Sequence, residues 1–324
     1  MATPRIVSLL PSATEIVCAL GADRFLIGRS HACDHPATLA DVPVMTASKV
    51  NGAAASGAIA SDVRSILAAA LSVYELQLEA LRDTTPDLIL TQTLCESCAV
   101  TPGDLAAALS SWTGSRPELI VLAPRDLAGV FTDIRAVANA LGRVGAGEAV
   151  LADMVGRFAR VVAAVARREA SPRVAAIEWL DPPMAGGHWV PELIALAGGE
   201  SLFGEAGEAS AGIDRVALAA ADPDVLTLAP CGFDLERTRA EAGALLDRTE
   251  LAALRARRER RVYALDGNAY FNRPGPRLAQ SAEILAEILH PAPSPCPRGR
   301  SVRARGAGSR RGSRRIAPGA DRAG

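Results

Sequence analysis

Two short stretches of the sequence combine cysteine or histidine with acidic residues. They are His31-Ala32-Cys33-Asp34-His35 and Cys95-Glu96-Ser97-Cys98. Thiolate and imidazole groups bind soft and borderline metal ions, and a Cys-x2-Cys pair with two further ligands is common in tetrahedral zinc sites. The second stretch holds one such pair, and the first would complete a zinc or iron site if the two meet. The candidate ligands are Cys95 and Cys98, completed by His31, Cys33 or His35.

Both stretches follow short apolar runs that are typical of strands. The runs are Leu26–Gly28 and Leu88–Thr91. In open parallel sheets, the loops beyond the carboxyl ends of the strands form the binding crevice. We therefore expect the two stretches to face one cleft.

Strand-length apolar runs alternate with amphipathic stretches along most of the chain, which is typical of βα units around a parallel sheet. The other predicted strands are Ile6–Leu10, Leu119–Ala123, Val174–Trp179, Val225–Leu228 and Val262–Leu265. The predicted helices are Ala13–Leu20, Val73–Arg82, Asp104–Trp112, Ala128–Leu141, Val190–Ala197, Arg215–Ala221, Leu235–Leu246 and Arg277–Leu289. Ser12 and Glu15 are spaced as a capping box, which predicts that Ser12 starts the first helix.

This pattern predicts an α/β fold of two lobes, each with a central parallel sheet, joined by one long helix. Apolar residues recur at steps of three and four in the joining segment, as on one face of a helix. They are Leu151, Met154, Val155, Phe158, Val161, Val162 and Val165. The predicted organisation is an N-terminal lobe (residues 4–146), a linking helix (147–170), a C-terminal lobe (171–291) and an Arg-rich tail (292–324).

Charge is distributed unevenly along the chain. The 324 residues carry a formal net charge of -1, but nine of the 35 basic residues and one of the 36 acidic residues lie in residues 292–324. Residues 1–291 therefore have a net charge of -9, which argues against a nucleic-acid footprint. The tail is rich in Pro, Gly, Ser and Arg, so we expect it to be disordered. Its arginines could contact nucleic acid or anionic lipid, or simply be solvated.

The sequence contains no run of about 18 apolar residues, so we expect no membrane span. Arg5–Leu10 already has the pattern of a core strand, and no export signal fits before it. The chain as written is therefore expected in the cytoplasm, or in the periplasm or at the cell surface if the true start lies upstream. In a reducing compartment its six cysteines are expected to be thiols.

Four stretches carry a resemblance to a known family. They are Arg5-Ile-Val-Ser-Leu-Leu-Pro-Ser-Ala-Thr-Glu-Ile16, Thr85-Pro-Asp-Leu-Ile-Leu90, Ala185-Gly-Gly-His-Trp-Val-Pro-Glu-Leu193 and Tyr270-Phe-Asn-Arg-Pro-Gly-Pro-Arg-Leu278. In this order and spacing the chain resembles the cobalamin- and iron-siderophore-binding proteins that serve ABC importers, closest to the cobalamin-binding branch. The resemblance covers roughly residues 4–291. It implies the helical-backbone, class III periplasmic-binding-protein fold, with the ligand held between two α/β lobes.

The resemblance also implies which residues line the cleft. The first lobe would contribute Pro11, Ser12 and Ala13, and the second His188, Trp189, Tyr270, Phe271 and Arg273. A corrin ring is a large apolar disc fringed with amides, which suits aromatic edges and a few hydrogen-bond donors. His31, Cys33 and Glu96 join this predicted ligand site because their loops face the same cleft. Alternatively, Trp189 starts a helix packed in the core.

In this context the thiols and imidazoles have further interpretations. One imidazole or thiolate would serve as the lower axial ligand of cobalt, a dithiol could cycle between redox states, or reduced thiols could only fill space. Asp34 could orient a neighbouring imidazole, or it could cap a turn before Pro36. Cys231 follows a predicted strand of the second lobe and is a weaker candidate, since a small residue before glycine is ordinary in turns.

The sequence has no Gly-x-Ser-x-Gly elbow and no phosphate-binding loop, which favours a binding protein over an enzyme. The predicted function is to hold a corrinoid, such as cobalamin, or a related metal chelate between the lobes. The predicted partner is an ABC importer permease, and no specific nucleic acid is expected. The alternative is a cytoplasmic, thiol-dependent factor that binds zinc or iron, or acts in redox chemistry, on the same fold.

Overall fold

The first part of the chain alternates strands and helices. The computed structural model describes residues 4–69, 72–93, 103, 105, 116–291 and 313–315. Up to residue 140 its elements are β1 (Ile6–Ser8), α1 (Pro11–Ala19), β2 (Leu26–Arg29), β3 (Thr46–Ser48), α2 (Ser56–Ala68), β4 (Tyr74–Leu76), α3 (Leu78–Thr84), β5 (Leu88–Gln92), β6 (Glu118–Leu122) and α4 (Leu127–Ala140). Four of the strands form a parallel sheet in the order β2-β1-β5-β6, and β3 pairs with β4 antiparallel.

The second part builds another sheet. Its elements are α5 (Val144–Val165), β7 (Arg173–Leu180), β8 (Pro183–Ala185), α6 (Val190–Leu196), β9 (Glu200–Ser201), α7 (Arg215–Ala221), β10 (Val225–Leu228), α8 (Leu235–Glu241), α9 (Gly243–Leu246), α10 (Arg255–Arg258), β11 (Val262–Leu265), a π-helical turn (Gly267–Phe271), α11 (Leu278–Leu289) and β12 (Ser313–Arg315). The strand order is β12-β11-β10-β7-β8, with β9 beside β7. The central strands β7, β10 and β11 are parallel.

The chain divides into two compact units. The first unit contains Met1–Gly156, Ala206–Ala209 and Arg273–Leu278, and the second contains Arg157–Glu205, Ser210–Asn272 and Ala279–Gly324. The division falls inside α5, within the predicted linking helix. The short segment Arg273–Leu278 contacts Glu15 in α1 and Asp34 in the loop after β2, although it is 258 and 239 residues away from them in sequence.

The central strands of both sheets have buried side chains, as the apolar runs predict. In the first unit Gly28 lies so close to Met45 that a Cβ there would be 2.6 Å from the Met45 Cε. The core around it comprises Val7, Leu9, Met45, Leu81, Ile89 and Leu105. In the second unit β10 is buried along its whole length. The predicted α/β fold with parallel sheets is confirmed.

Two predicted helices differ from the structure. The stretch Val73–Arg82 begins as β4 and becomes helical only at Leu78, because β4 pairs with β3 over Tyr74–Leu76. Leu235–Leu246 is two helices that meet before Gly243, a residue of low helix propensity. The predicted helix Asp104–Trp112 lies largely outside the described residues, as does the whole Cys95–Cys98 stretch.

The predicted capping box at the start of α1 is wrong. The N-cap is Leu10 rather than Ser12, and no side chain caps the helix. Pro11 occupies the first turn, where its missing N–H costs no hydrogen bond. The carboxylate of Glu15 contacts arginine side chains instead, as described below.

The long helix α5 starts at Val144 and ends at Val165, so it is shifted toward the N-terminus relative to the predicted residues 147–170. Of the predicted apolar face, Leu151, Met154, Phe158 and Val161 are buried. Val155 and Val162 are exposed, at 51% and 43%. Each follows a buried residue by one position, which turns its side chain about 100° away from the buried face.

Three residues of the predicted tail belong to a described element. Ser313–Arg315 forms β12, which pairs antiparallel with β11. None of the helices in the described part of the chain is long and apolar enough to cross a membrane.

Candidate functional site

The strand ends of the first sheet bring two of the predicted site segments together. Because β1 and β2 are adjacent and parallel, the residues after them share one edge of the sheet. Pro11, Ser12 and Ala13 follow β1, and the loop of residues 30–36 follows β2. Pro11 is partly exposed, whereas Ser12 and Ala13 are buried at 3% and 0% exposure. The second predicted loop follows β5, the other neighbour of β1.

His31 is held by the hydroxyl group of Thr46, which contacts both its backbone N–H and its ring. The hydroxyl of Thr46 donates its proton to Oγ of Ser30 at 3.2 Å. Its oxygen then accepts from the His31 backbone N–H at 3.0 Å and from Nδ1–H of the imidazole at 2.7 Å. Since Nδ1 carries the proton, Nε2 carries a lone pair when the ring is neutral. That nitrogen is suited to bind a metal ion.

The charge state of His31 agrees with this role. The side chain is exposed overall, but the protein partly desolvates the ring and lowers the pKa of the His31 imidazole. The ring is therefore neutral at pH 7. A neutral imidazole is the form that coordinates metals.

Tyr74 is a site residue that the sequence interpretation missed. Its ring lies against the His31 imidazole, with centroids 5.2 Å apart and planes tilted by 41°. The sequence predicts a helix over Val73–Arg82, and this prediction does not bring Tyr74 near His31. The signal that could have found it is composition, since the chain has only three tyrosines.

Cys33 is buried rather than directed to solvent. It is 2% exposed, and its Sγ lies 3.0 Å from Oγ1 of Thr14 in α1. Burial raises the pKa of the Cys33 thiol, and the hydrogen bond with Thr14 only partly opposes this. Thiolates bind metals, so an undissociated thiol with this packing is a poor ligand.

Asp34 and Glu15 contact the same arginine. Nη1 of Arg273 donates to Oδ1 of Asp34 at 2.6 Å and to Oε1 of Glu15 at 2.9 Å, and Nη2 donates to the carbonyl of Ala32 at 3.2 Å. Arg273 is 5% exposed and the Glu15 side chain 3%. The predicted roles of Asp34, orienting an imidazole or capping a turn, stay predictions beside this ion pair.

In the second unit, the predicted aromatic residues form a packed group. Trp189 is 4% exposed, and its Nε1 donates to the carbonyl of Phe271 at 2.8 Å. Phe271 is buried as well, at 3%. The more accessible members are His188, which stacks on Trp189 at 5.5 Å, and Tyr270. Trp189 is therefore a core residue at the start of α6, and the more accessible His188 packs on it.

The backbone at His188 is strained, and a side-chain hydroxyl holds the residue before it. Its φ of 53° lies in the left-handed region, which costs a non-glycine residue free energy. The preceding Gly187 N–H donates to Oγ of Ser210 at 3.2 Å, and that hydroxyl donates to Oε2 of Glu178 at 2.9 Å. Glu178 lies near the carboxyl end of β7. Cys231 follows β10 and is half-buried, with its N–H donating to the carbonyl of Glu178.

The remaining predicted ligands, Cys95, Glu96 and Cys98, lie outside the described residues. Within the described ranges, no three His, Cys, Asp or Glu side chains are grouped to hold a metal ion. The predicted four-ligand metal site therefore stays a prediction. The clearest candidate for a metal contact is the single imidazole of His31.

Several solved structures share this fold. A periplasmic heme-binding protein from Pseudomonas aeruginosa is 24% identical, with a TM-score of 0.68, and the alignment covers 91% of this chain and 95% of that one. The periplasmic heme-binding protein RhuT from Roseiflexus sp. RS-1 is 25% identical, with a TM-score of 0.67 and coverages of 89% and 98%. The periplasmic vitamin B12 binding protein BtuF of Vibrio cholerae is 20% identical, with a TM-score of 0.64 and coverages of 88% and 96%.

Sequence comparison agrees with the structural likeness. No curated protein matches the chain. The profile of the family described as "Periplasmic binding protein" matches residues 6–269, which is well over half of the 324 residues. The resemblance found in the sequence is thereby confirmed: the chain belongs to the periplasmic binding protein family, whose members bind solutes and are not enzymes.

Proposed function

We propose that this protein binds a metal tetrapyrrole and presents it to an ABC importer permease. A corrinoid is the ligand that the sequence predicts, and heme is the related alternative. The observation that carries the proposal is the contact between Nδ1 of His31 and the hydroxyl of Thr46 at 2.7 Å. Because Thr46 donates to Ser30, this contact favours a proton on Nδ1 and leaves Nε2 as the metal-binding nitrogen. Both ligand classes have a central metal that accepts one axial imidazole.

The hydrogen bond from His31 to Thr46 supports this role. Metal-binding histidines usually donate their other ring N–H to a fixed acceptor, which sets the tautomer and orients the ring. Thr46 provides that acceptor and is itself fixed by Ser30.

Aromatic side chains in each unit support a flat ligand. In the first unit Tyr74 lies against the ring of His31. In the second unit His188 stacks on the buried Trp189, and Tyr270 is partly exposed. Aromatic faces and edges suit the large apolar surface of a macrocycle. The structurally similar proteins include one that binds heme and one that binds vitamin B12.

Absorbance titration tests the proposal. Diaquacobinamide, aquacobalamin and hemin are added separately to the full chain and to the variants His31→Ala and His35→Ala. We expect one of these ligands to bind with a spectrum typical of imidazole ligation. His31→Ala should lose that spectrum and weaken binding about 10- to 100-fold. His35→Ala removes the other imidazole of this loop, which is also exposed, and should bind as the unmodified chain does; loss of the spectrum in His35→Ala instead of His31→Ala would assign the ligand to His35 and overturn the role of His31.

Two results would contradict the proposal. One is that no tetrapyrrole binds, and the other is that His31→Ala binds with unchanged affinity and spectrum. Titration with Zn²⁺ tests the thiol-dependent alternative. If Zn²⁺ alone binds, and the double variant Cys95→Ser, Cys98→Ser abolishes its binding, the alternative is supported.

A further inference from the structure

The hydrogen bonds of Arg273 go to other groups of the protein. Its guanidinium is almost fully buried, at 5% exposure, and reaches three acceptors. They are the carboxylates of Glu15 and Asp34 and the carbonyl of Ala32. Ala32 and Asp34 lie on either side of Cys33 in the loop that begins with His31. Arg273 thus joins this loop to α1.

The segment around Arg273 is built to keep it in place. Its sequence, Arg273-Pro-Gly-Pro-Arg277, contains two prolines, which restrict the backbone. Pro274 and Gly275 are buried, and a Cβ on Gly275 would lie 3.7 Å from the carbonyl of Ser12. The segment therefore packs directly on the start of α1.

Glu15 explains why the arginine is retained in the interior. Its side chain is 3% exposed, and only Oε1 has a hydrogen-bond partner, since Oε2 has none in the described part of the chain. A buried carboxylate is stable only when it is paired. Arg273 at 2.9 Å and Arg277 at 3.5 Å supply the positive charge. Of these two, Arg273 also contacts the loop.

The loop itself depends on hydrogen bonds that can be measured one by one. The amide of Ser30 donates to the carbonyl of Ser8, that of His31 to Thr46, that of Ala32 to Oγ of Ser30, and that of Cys33 to the carbonyl of Ser30. A loop fixed in this way keeps its amide protons from exchanging with solvent. If a contact between this loop and a residue outside it is lost, the amide protons at these positions should exchange faster.

We propose that Arg273 is a positioning residue: through Ala32 and Asp34 it holds the loop of residues 30–36 so that the His31 imidazole keeps its orientation. The loop-ordering part stands without any ligand, and the effect on binding rests on the function proposed above. Lysine cannot replace Arg273 here, because a single ammonium group cannot serve three acceptors in the geometry of the guanidinium fork.

Hydrogen exchange measured by mass spectrometry on the ligand-free full chain tests the first part. Arg273→Lys should increase the exchange rate of amides 31–33 at least tenfold. Asp34→Ala should do the same; because Asp34 is 54% exposed, this variant leaves the buried Glu15 pairing in place and is expected to fold. Arg277→Lys is the control, because the side-chain hydrogen bond of Arg277 goes to Glu15 in α1. Its exchange at amides 31–33 should match the unmodified chain.

The same variants test the effect on the ligand. The ligand is the tetrapyrrole that binds in the titration described above. Arg273→Lys and Asp34→Ala should bind it about tenfold more weakly and show a reduced imidazole-ligation spectrum, whereas Arg277→Lys should keep the affinity and the spectrum. A purely structural role would lower stability without changing that spectrum. If Arg273→Lys fails to fold, Asp34→Ala decides the matter.

The two proposals fail in different ways. Unchanged exchange in Arg273→Lys and Asp34→Ala overturns the positioning role, even if a tetrapyrrole binds to His31. Faster exchange in a chain that binds no tetrapyrrole leaves the positioning role standing and overturns the proposed function instead.

Discussion

At the scale of single residues, chemical type did not by itself predict role. His31 and Cys33 are two positions apart in a stretch that looks like a metal-binding motif. The side chain of His31 is exposed and its Nδ1 contacts the hydroxyl of Thr46, while the thiol of Cys33 is buried against Thr14. Alternate positions of a loop can face opposite ways, so spacing within the motif could not separate the ligand candidate from the core residue.

Thiol modification checks the burial of Cys33. Treating the native chain with iodoacetamide at pH 8 should modify Cys231, which is half-buried, at least tenfold faster than Cys33. Cys18 should also react slowly, since burial, with nearby acidic charges, raises the pKa of its thiol to about 12. Peptide mass spectrometry over time gives each rate. Equal rates for Cys33 and Cys231 in the native chain would show that Cys33 is accessible and restore it as a metal-ligand candidate.

At the scale of elements, parallel strands decide which loops meet. The loops after β1 and β2 share an edge of the first sheet, and those after β7, β10 and β11 share an edge of the second.

Helix α4 places an ionisable side chain inside the fold. Its Asp133 is 8% exposed, and Oδ2 has no hydrogen-bond partner within the described residues.

Asp133 should make stability depend on pH. Burial raises the pKa of its carboxyl to about 7, although a hydrogen bond from the Ala123 amide partly opposes the shift. Between about pH 4 and 7 the folded chain keeps a proton that the unfolded chain loses, so the free energy of unfolding falls as pH rises through this range. The Asp133 contribution amounts to roughly 2–4 kcal/mol, at about 1.4 kcal/mol per pKa unit.

Thermal unfolding at pH 5 and pH 8 measures this effect. Asp133→Asn should lose much less stability between the two pH values than the unmodified chain does. Asp153→Asn, at an exposed position of α5, is the control and should retain the original difference. An identical pH dependence for Asp133→Asn and the unmodified chain would show that Asp133 titrates normally.

At the scale of the whole molecule, the charge separates into an acidic body and a basic tail. Family membership confirms a solute-binding protein. The family carries the name of periplasmic proteins, so the cytoplasmic location expected from the sequence is not confirmed and stays a prediction. The tail contributes only the three residues of β12 to a described element, at the edge next to β11.

Truncation after residue 291 tests the role of the tail. The shortened chain should keep its fold and its ligand affinity, with a melting temperature lowered by no more than about 3 °C, because three strand residues add few hydrogen bonds. It should also lose retention on a heparin column at low salt, since the nine arginines are gone. A larger drop in melting temperature would show that β12 is an integral strand of the second sheet.

The sequence by itself determined the alternation of strands and helices, the two sheets and the family, because these depend on local periodicity and on motifs read in order. Strands β10 and β11 and helix α7 have the predicted bounds. Tyr74 shows the limit: only its pairing with β3 makes it part of a strand.

Only the tertiary structure decided which side chains meet. Arg273 lies 258 residues from Glu15 and 239 from Asp34, yet it contacts both. The ring of His31 likewise contacts Thr46, a residue of β3 that is 15 positions away in sequence. Such pairings arise from the register of distant segments and from the cost of burying a charge without a partner, and no local pattern in the sequence records either.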